Sequence, residues 1–250
     1  GGPANGAAWA LLRAAWRRRV DPPINAERQR SGLAPIRDAG LLGGVSERLC
    51  LVLAGSLAFT LGQRLEAGET PDLGIMSSDR IDALIRAGKF AQGSRIDIAS
   101  SGIGIAIRKG AARPDVSSPS ALKSALRSAR SVAYSTGPSG VHLVGLFDRM
   151  GVTAELGPKL KVVKGEPIGA VVARGDAEIG FQQISELLPV KGLDYVGPLP
   201  GDAQRMTTFS AGIASQARNP TGGRALIAFF SSPEGLRAMT KYGLEPINRR

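Results

Sequence analysis

Two short polar turns carry the residue types that bind anions through backbone amides. The first, 134–140, reads Tyr-Ser-Thr-Gly-Pro-Ser-Gly between an apolar segment and the amphipathic segment 141–150. A strand, a small polar turn and a helix start in this order direct unpaired N–H groups at one point, where the helix dipole adds about half a positive charge. The second, 164–169, reads Lys-Gly-Glu-Pro-Ile-Gly. Both turns predict a site that holds a small anion rather than one that transforms it.

Residues suited to catalysis or metal binding are few. His142 is the single histidine and Cys50 the single cysteine, so a histidine metal cluster or an internal disulfide cannot form. The segment 102–104, Gly-Ile-Gly, lacks the third glycine of a dinucleotide-binding turn. Glu166 and Glu186 would form an acid–base pair only if folding brought them together by chance. We therefore predict that the protein is not an enzyme and that it needs no cofactor and no metal ion.

Length and composition indicate a globular protein with anionic partners. The 250 residues suffice for one large or two small domains, and the hydrophobic content of 43% is ordinary. No run reaches the roughly 18 apolar residues of a transmembrane helix. The net charge of +11 favours a small anion, a membrane surface or nucleic acid. Because aromatic residues do not interleave with the basic ones, we do not expect nucleic acid to be the partner.

Strand and helix patterns alternate from residue 48 to the end of the chain. Several predicted helices end at a glycine, and several begin at a serine or asparagine followed by proline, as at 118–119 and 219–220. The alternation predicts an α/β fold with parallel sheets, in which ligands bind at the carboxyl ends of strands. Both polar turns occupy such positions.

Residues 1–47 have a different character. They are rich in arginine, and the apolar stretch 7–12 is followed rather than preceded by its basic residues, so no secretory signal is visible. The segment reads as a solvated or disordered tail, as a divergent form of a folded unit, or as the product of another reading frame.

Five blocks of sequence then occur in a characteristic order and spacing. They read QRLEAGETPDL at 63–73, MSSD at 76–79, GPSG at 137–140, RGDAEIGFQQISE at 174–186, and NP followed by SSPE between 219 and 234. In this order they resemble the periplasmic molybdate-binding proteins and their solute-binding relatives. The resemblance covers residues 49–246, and the opening strand, turn and helix of that family are not recognisable in 1–47.

The resemblance implies an α/β fold of two lobes, the type 2 periplasmic-binding architecture, with a ligand cleft between them. One lobe would comprise 48–101 plus 208–250, and the other 102–207. The implied function is that of a periplasmic solute-binding protein, which delivers a small oxyanion such as molybdate or tungstate, or a small carboxylate, to the membrane permease of an ABC importer. The alternatives are the ligand-sensing domain of a transcription regulator and an enzyme acting on an anionic metabolite.

The ligand-binding residues that the resemblance implies come from four turns. Carried over by position, they are Ser56, Thr60, Ser139, Pro167 and Gln183. Molybdate-binding proteins often have tyrosine where this chain has Gln183, which weighs against molybdate itself. Hydroxyl and backbone N–H donors suit a fully ionised oxyanion and would not serve a metal cation.

Overall fold

A computed structural model describes residues 71–247, which form two lobes, each built on one β-sheet. The strands are β1 (Leu73–Ser77), β2 (Ile96–Ser101), β3 (Ile103–Arg108), β4 (Val132–Ser135), β5 (Leu160–Val163), β6 (Ile179–Gln183), β7 (Leu193–Pro198), β8 (Thr207–Ile213) and β9 (Glu245–Pro246). The α-helices are α1 (Ser78–Arg86), α2 (Pro119–Ser128), α3 (Pro138–Arg149), α4 (Thr153–Leu156), α5 (Ile168–Arg174), α6 (Ile184–Leu187), α7 (Pro220–Phe230) and α8 (Pro233–Lys241). The mixed α/β class and the two-lobed architecture expected from the sequence are confirmed.

Local sequence signals explain where the helices begin. Side-chain oxygens of Ser118, Asn219 and Ser232 accept hydrogen bonds from the backbone N–H three residues later, at 2.9–3.1 Å. In each case proline follows directly as the first helical residue. Its missing N–H costs nothing there, because the first N–H of an α-helix makes no hydrogen bond within the helix. These caps fix the starts of α2, α7 and α8.

The sheet of the first lobe has the strand order β1-β8-β2-β9. All three pairings among these described strands are antiparallel, so the prediction of parallel sheets is wrong for this part of the lobe. The physical reason is that β8 returns from the second lobe and inserts between β1 and β2, running against both. The core of the first lobe is built from the apolar side chains of β1 and β8 and of the helices packed on them, including Ile75, Ile81, Phe209, Leu226 and Phe230.

The sheet of the second lobe is mixed, with the order β5-β4-β6-β3-β7. Strands β5, β4 and β6 run parallel, while β3 runs antiparallel to both of its neighbours. The larger core packs α2 and α3 on one face, with Leu126, Phe147 and Phe181 fully or almost fully buried. The opposite face is covered by α5 through Ile168 and Val172. Helices on both faces explain why β4 and β6 are buried along their whole length.

Two chain crossings join the lobes. Strand β2 continues into β3 through Gly102 alone, and the chain returns from β7 to β8 through residues 199–206. The Gln204 side chain bridges the two crossings, because its Oε1 accepts from Ile103 N at 2.8 Å and its Nε2 donates to Ile103 O at 3.0 Å. The described helices include none long and apolar enough to cross a membrane.

Candidate functional site

The two sheets meet end to end, and the strand ends that face each other define what we call the interlobe edge. On the first lobe this edge is formed by the ends of β1 and β2, at Ser77 and Ser101, and by the start of β8 at Thr207. On the second lobe it is formed by the ends of β4 and β6, at Ser135 and Gln183. The edge therefore coincides with the carboxyl ends of four strands, where α/β proteins place their ligands.

Buried polar side chains concentrate at the interlobe edge. Among the described residues, every buried polar side chain except Ser210 belongs to it: Ser77, Ser101, Ser135, Ser139, Gln182, Gln183 and Thr207. Ser210 lies in the middle of β8 and donates to Asp97 at 2.6 Å. Because buried polar groups are costly unless they are hydrogen-bonded, their accumulation at one edge indicates a site built for a polar ligand.

The first polar turn forms the start of α3, as the sequence predicts. Ser139 is the second residue of this twelve-residue helix and only 3% exposed. The cap residue Gly137 provides no side-chain acceptor, so no cap side chain occupies the N–H groups of the first turn. A Cβ at Gly140 would lie 1.6 Å from Ser135 O, so only glycine allows the helix to start this close to β4. Backbone N–H groups and the positive end of the helix dipole thus point into the edge.

The second polar turn differs from the first. Pro167 is the N-cap of α5, but the next-but-one N–H, that of Gly169, donates to Gln182 Oε1 at 3.3 Å. Glu166 is ion-paired with Arg174 on the outer side of the helix, with 3.0 Å between Nη1 and Oε2. A glutamine side chain therefore already uses part of the donor capacity that the sequence assigned to an anion here. The first turn is the better anion site of the two.

Gln183 links the two lobes. With its amide oxygen accepting from Thr207 Oγ1 at 2.9 Å, its nitrogen donates to the carbonyl oxygens of Ser101 at 2.9 Å and Gly102 at 3.2 Å. All three partners lie on the chain crossings or at the strand ends directly beside them. The ligand-binding role of Gln183 stays a prediction, and the hydrogen bonds of this side chain add a role in holding the crossings together.

Glu186, in α6, is the carboxyl group with the most altered acidity at this edge. Loss of solvent raises the pKa of Glu186 from 4.5 to about 8, and a hydrogen bond from Gln182 opposes this rise. Gln182 is only 1% exposed, and its Nε2 makes no other hydrogen bond of regular geometry. A carboxyl that titrates near neutral pH can both accept and donate a proton.

The structure brings together three of the five site residues predicted from the sequence. Ser139 and Gln183 lie at the interlobe edge, Pro167 caps α5 next to Gln182, whose Oε1 accepts from Gly169 N, and Ser56 and Thr60 lie outside the described residues. Sequence reasoning did not select Gln182 and the strand-terminal serines. The available signal was that β1, β2 and β4 each end in serine.

Two other features do not compete with this site. His142 Nε2 lies 2.8 Å from Ala203 O, which is a structural contact, and residues 71–247 hold no cluster of three potential metal ligands. A cavity of about 500 Å³ opens at the far ends of the second sheet, between Arg130 and Lys161. Four basic and two acidic side chains line this cavity, Arg130 is bonded to Glu178 and Lys161 to a backbone carbonyl, and the cavity lies at the opposite end of the sheet from the interlobe edge.

Comparison with known proteins identifies relatives of two kinds. Residues 52–245 match a family model described as bacterial extracellular solute-binding protein. Over 240 residues the chain is 36% identical to an aconitate isomerase from a Pseudomonas species, a match that covers 90% of this chain and 92% of that protein. This relative overturns the expectation that the chain is not an enzyme.

Solved structures share the fold at low sequence identity. The sulfate-binding protein SubI from Mycobacterium tuberculosis H37Rv superposes with a TM-score of 0.60 at 15% identity, covering 78% of this chain and 74% of that one. The periplasmic molybdate-binding protein of Azotobacter vinelandii gives a TM-score of 0.58 at 15% identity, covering 76% of this chain and 84% of that one. These likenesses confirm the fold expected from the sequence and leave the ligand open.

Proposed function

This chain belongs to the bacterial extracellular solute-binding proteins, and we propose that it binds a small tricarboxylate of the aconitate type between its lobes and isomerises it. The observation that carries the proposal is the set of buried polar groups at the interlobe edge, which pairs neutral hydrogen-bond donors with one carboxyl, Glu186, that titrates near neutral pH. The extensive identity to an aconitate isomerase supports the choice of substrate class.

The donors at the edge suit carboxylate groups. The hydroxyls of Ser135 and Ser139 and the first N–H groups of α3 can each donate to an anionic oxygen, and such bonds contribute about 1.5–3 kcal/mol apiece. A tricarboxylate offers six oxygens and can therefore contact both lobes at once. Closure of the lobes around it would exclude water from the reacting carbons.

The reaction needs proton transfer and no oxidant. Aconitate is a propene bearing three carboxylates, and its geometric isomers interconvert when the double bond moves. A proton leaves the methylene carbon, the electron pair spreads over the three-carbon unit and its carboxylates, and a proton is added at the other terminal carbon. The product has the same composition, and its geometry depends on how the carbon chain is turned when the proton returns.

The direct test follows each pure isomer of aconitate with the full chain by proton NMR in D₂O. We expect the signals of the other isomer to grow while deuterium enters the methylene position. Neither conversion nor exchange, at concentrations where calorimetry shows that the ligand is bound, would disprove the enzymatic proposal.

A variant pair tests whether the first polar turn binds the ligand. Removing the hydroxyl in Ser139→Ala should weaken binding about tenfold, the equivalent of one hydrogen bond to a charged group. Ser120→Ala is the matched control, because Ser120 is also the second residue of a helix that begins with proline but lies exposed on α2. Equal affinities in the two variants would remove Ser139 from the site.

A second candidate function uses the same edge without chemistry. The chain would bind a small oxyanion, such as molybdate or tungstate, or a small carboxylate in the periplasm and pass it to the membrane permease of an ABC importer. The lack of a side-chain cap on α3 favours this candidate, because it leaves N–H donors of the kind a fully ionised oxyanion needs. Calorimetry with molybdate, tungstate, sulfate and both aconitates separates the candidates, since oxyanion binding without turnover of aconitate supports the second.

A further inference from the structure

We infer that Glu186 is the group that removes and returns the proton in the proposed isomerisation, and that Gln182 positions it; this inference rests on the proposed function. The first support is the place of Glu186 in the fold. Helix α6 follows β6 without a connecting loop, so Glu186 lies three residues beyond Gln183, the last residue of a strand that ends at the interlobe edge.

The backbone of α6 is held by both lobes. Ile184 N donates to Gly102 O at 2.9 Å, and Ser185 N donates to Ser101 Oγ at 3.4 Å, so the helix start is fixed to a chain crossing. From the other side, a Cβ at Gly243 would lie 2.7 Å from Leu188 Cδ1 and 3.0 Å from Ile184 Cγ2. Contacts from both directions give Glu186 a defined position where the lobes meet, as a proton-transfer group requires.

The second support is the Gln182 amide. Gln182 pairs with Gly104 in the sheet, and α6 packs over Gly104, so the Gln182 side chain lies on the same face of the sheet as α6. Its Oε1 accepts from Gly169 N, and the Gln182 amide is the hydrogen-bonding group that opposes the raised pKa of Glu186. Gln182 Nε2 is buried and makes no hydrogen bond of regular geometry, which is unusual in folded proteins and is explained if the amide serves to position a functional carboxyl.

The third support is the contrast with the other carboxylate at this edge. Glu166 is paired with Arg174 at 3.0 Å and about half of its side chain is exposed, so its oxygens face a guanidinium group and solvent. Glu186 loses solvent instead, and its pKa of about 8 lets it exchange a proton near neutral pH. The titratable groups on the elements in contact with α6 are Arg108 of β3, Arg174 of α5, and Asp194 and Tyr195 of β7. Lys191, Lys241, Tyr242 and Glu245 lie on neighbouring segments. Among these groups, Tyr195 has its pKa raised by loss of solvent.

The proton-transfer steps balance. The Glu186 carboxylate takes a proton from the methylene carbon, so a C–H bond breaks and an O–H bond forms. The electron pair delocalises over the allylic carbons and their carboxylates. Glu186 then returns the proton to the other terminal carbon and is again a carboxylate. The former CH2–C single bond becomes the double bond, and the way that bond is turned in the bound ligand decides which geometric isomer forms. Gln182 touches no substrate atom in this scheme and acts by holding the Glu186 oxygens.

The decisive experiment compares Glu186→Gln with the wild-type full chain. The variant should lose about 100-fold or more in kcat, the usual contribution of a general base, and should still bind aconitate in calorimetry. Glu178→Gln, at the far end of the same sheet, serves as the control and should keep full activity. A Glu186→Gln variant that isomerises at the wild-type rate would overturn the inference alone, whereas a wild type that binds without isomerising or exchanging protons would overturn the proposed function with it.

A second variant separates positioning from structure. Gln182→Leu removes the hydrogen bond that lowers the pKa of Glu186, so the acid limb of the rate profile should move to higher pH. We expect kcat to fall about tenfold with little change in KM. An unshifted pH profile with an active Gln182→Leu variant would refute the positioning role and the contact on which it depends.

Discussion

The wild-type protein should lose stability as the pH rises from about 5 to 8, and a Glu186→Gln variant should not. The pKa of Glu186 is raised by loss of solvent from 4.5 to about 8. Between these values the unfolded chain has released the proton and the folded chain retains it. Each pH unit in this interval therefore lowers the free energy of unfolding by up to about 1.4 kcal/mol. The full interval would amount to about 5 kcal/mol, and because Glu186 keeps part of its surface exposed we expect about half of that.

Denaturant titration of both proteins at about pH 5, 6.5 and 8 measures this effect. Relative to Glu186→Gln, the wild type should lose about 2–3 kcal/mol of unfolding free energy between the lowest and the highest pH. Glu178→Gln is the control, because hydrogen bonds from Arg130 lower the pKa of Glu178 and its ionisation is complete in both states above about pH 6. That variant should follow the wild-type slope. Parallel curves for the wild type and Glu186→Gln would refute the raised pKa.

Two further predictions concern the frame around the site. Gly140→Ala places a Cβ 1.6 Å from Ser135 O and should lower the free energy of unfolding by about 3 kcal/mol or more in thermal unfolding. Gly145→Ala in the same helix meets only the flexible end of a side chain and should raise the free energy of unfolding by about 0.5–1 kcal/mol. The side-chain hydrogen bond between Gln183 and Thr207 can be tested with Gln183→Leu, Thr207→Val and the double variant. The unfolding free energies of this double-mutant cycle should give a coupling energy of about 0.5–1.5 kcal/mol. Strictly additive losses would contradict the hydrogen bond.

Elements of this fold could be predicted from the sequence wherever the signal is local. The sequence predicts a strand at 207–213, the bounds that β8 has, and helices from residues 221 and 233. Helices α7 and α8 begin within one residue of these positions, because Asn219 and Ser232 cap them and proline follows each. The pairing of strands is not local. The insertion of β8 between β1 and β2 depends on contacts across more than 100 residues, so the antiparallel order could not be read from alternation.

Part of the candidate site could also be predicted from the sequence. Ser139 could be predicted because strand, turn and helix start are adjacent in the chain, and a family resemblance placed Pro167 and Gln183. The pairing of Gln182 with Glu186 could not, because the acidity of a carboxyl depends on how much solvent the fold removes from it. The prediction of a non-enzyme was wrong because it relied on the lack of a recognisable catalytic motif, and the aconitate isomerase relative overturns it.

The polar lining of the interlobe edge has a consequence for the heat of ligand binding. Closing an apolar cleft gives a large negative change in heat capacity, whereas burying polar surface changes it in the opposite sense. Because the strand ends at this edge carry hydroxyls and amides, closure would mostly exchange hydrogen bonds with water for hydrogen bonds with the ligand. The binding enthalpy should therefore vary little with temperature, and an open cleft can hold ordered water in place of the ligand.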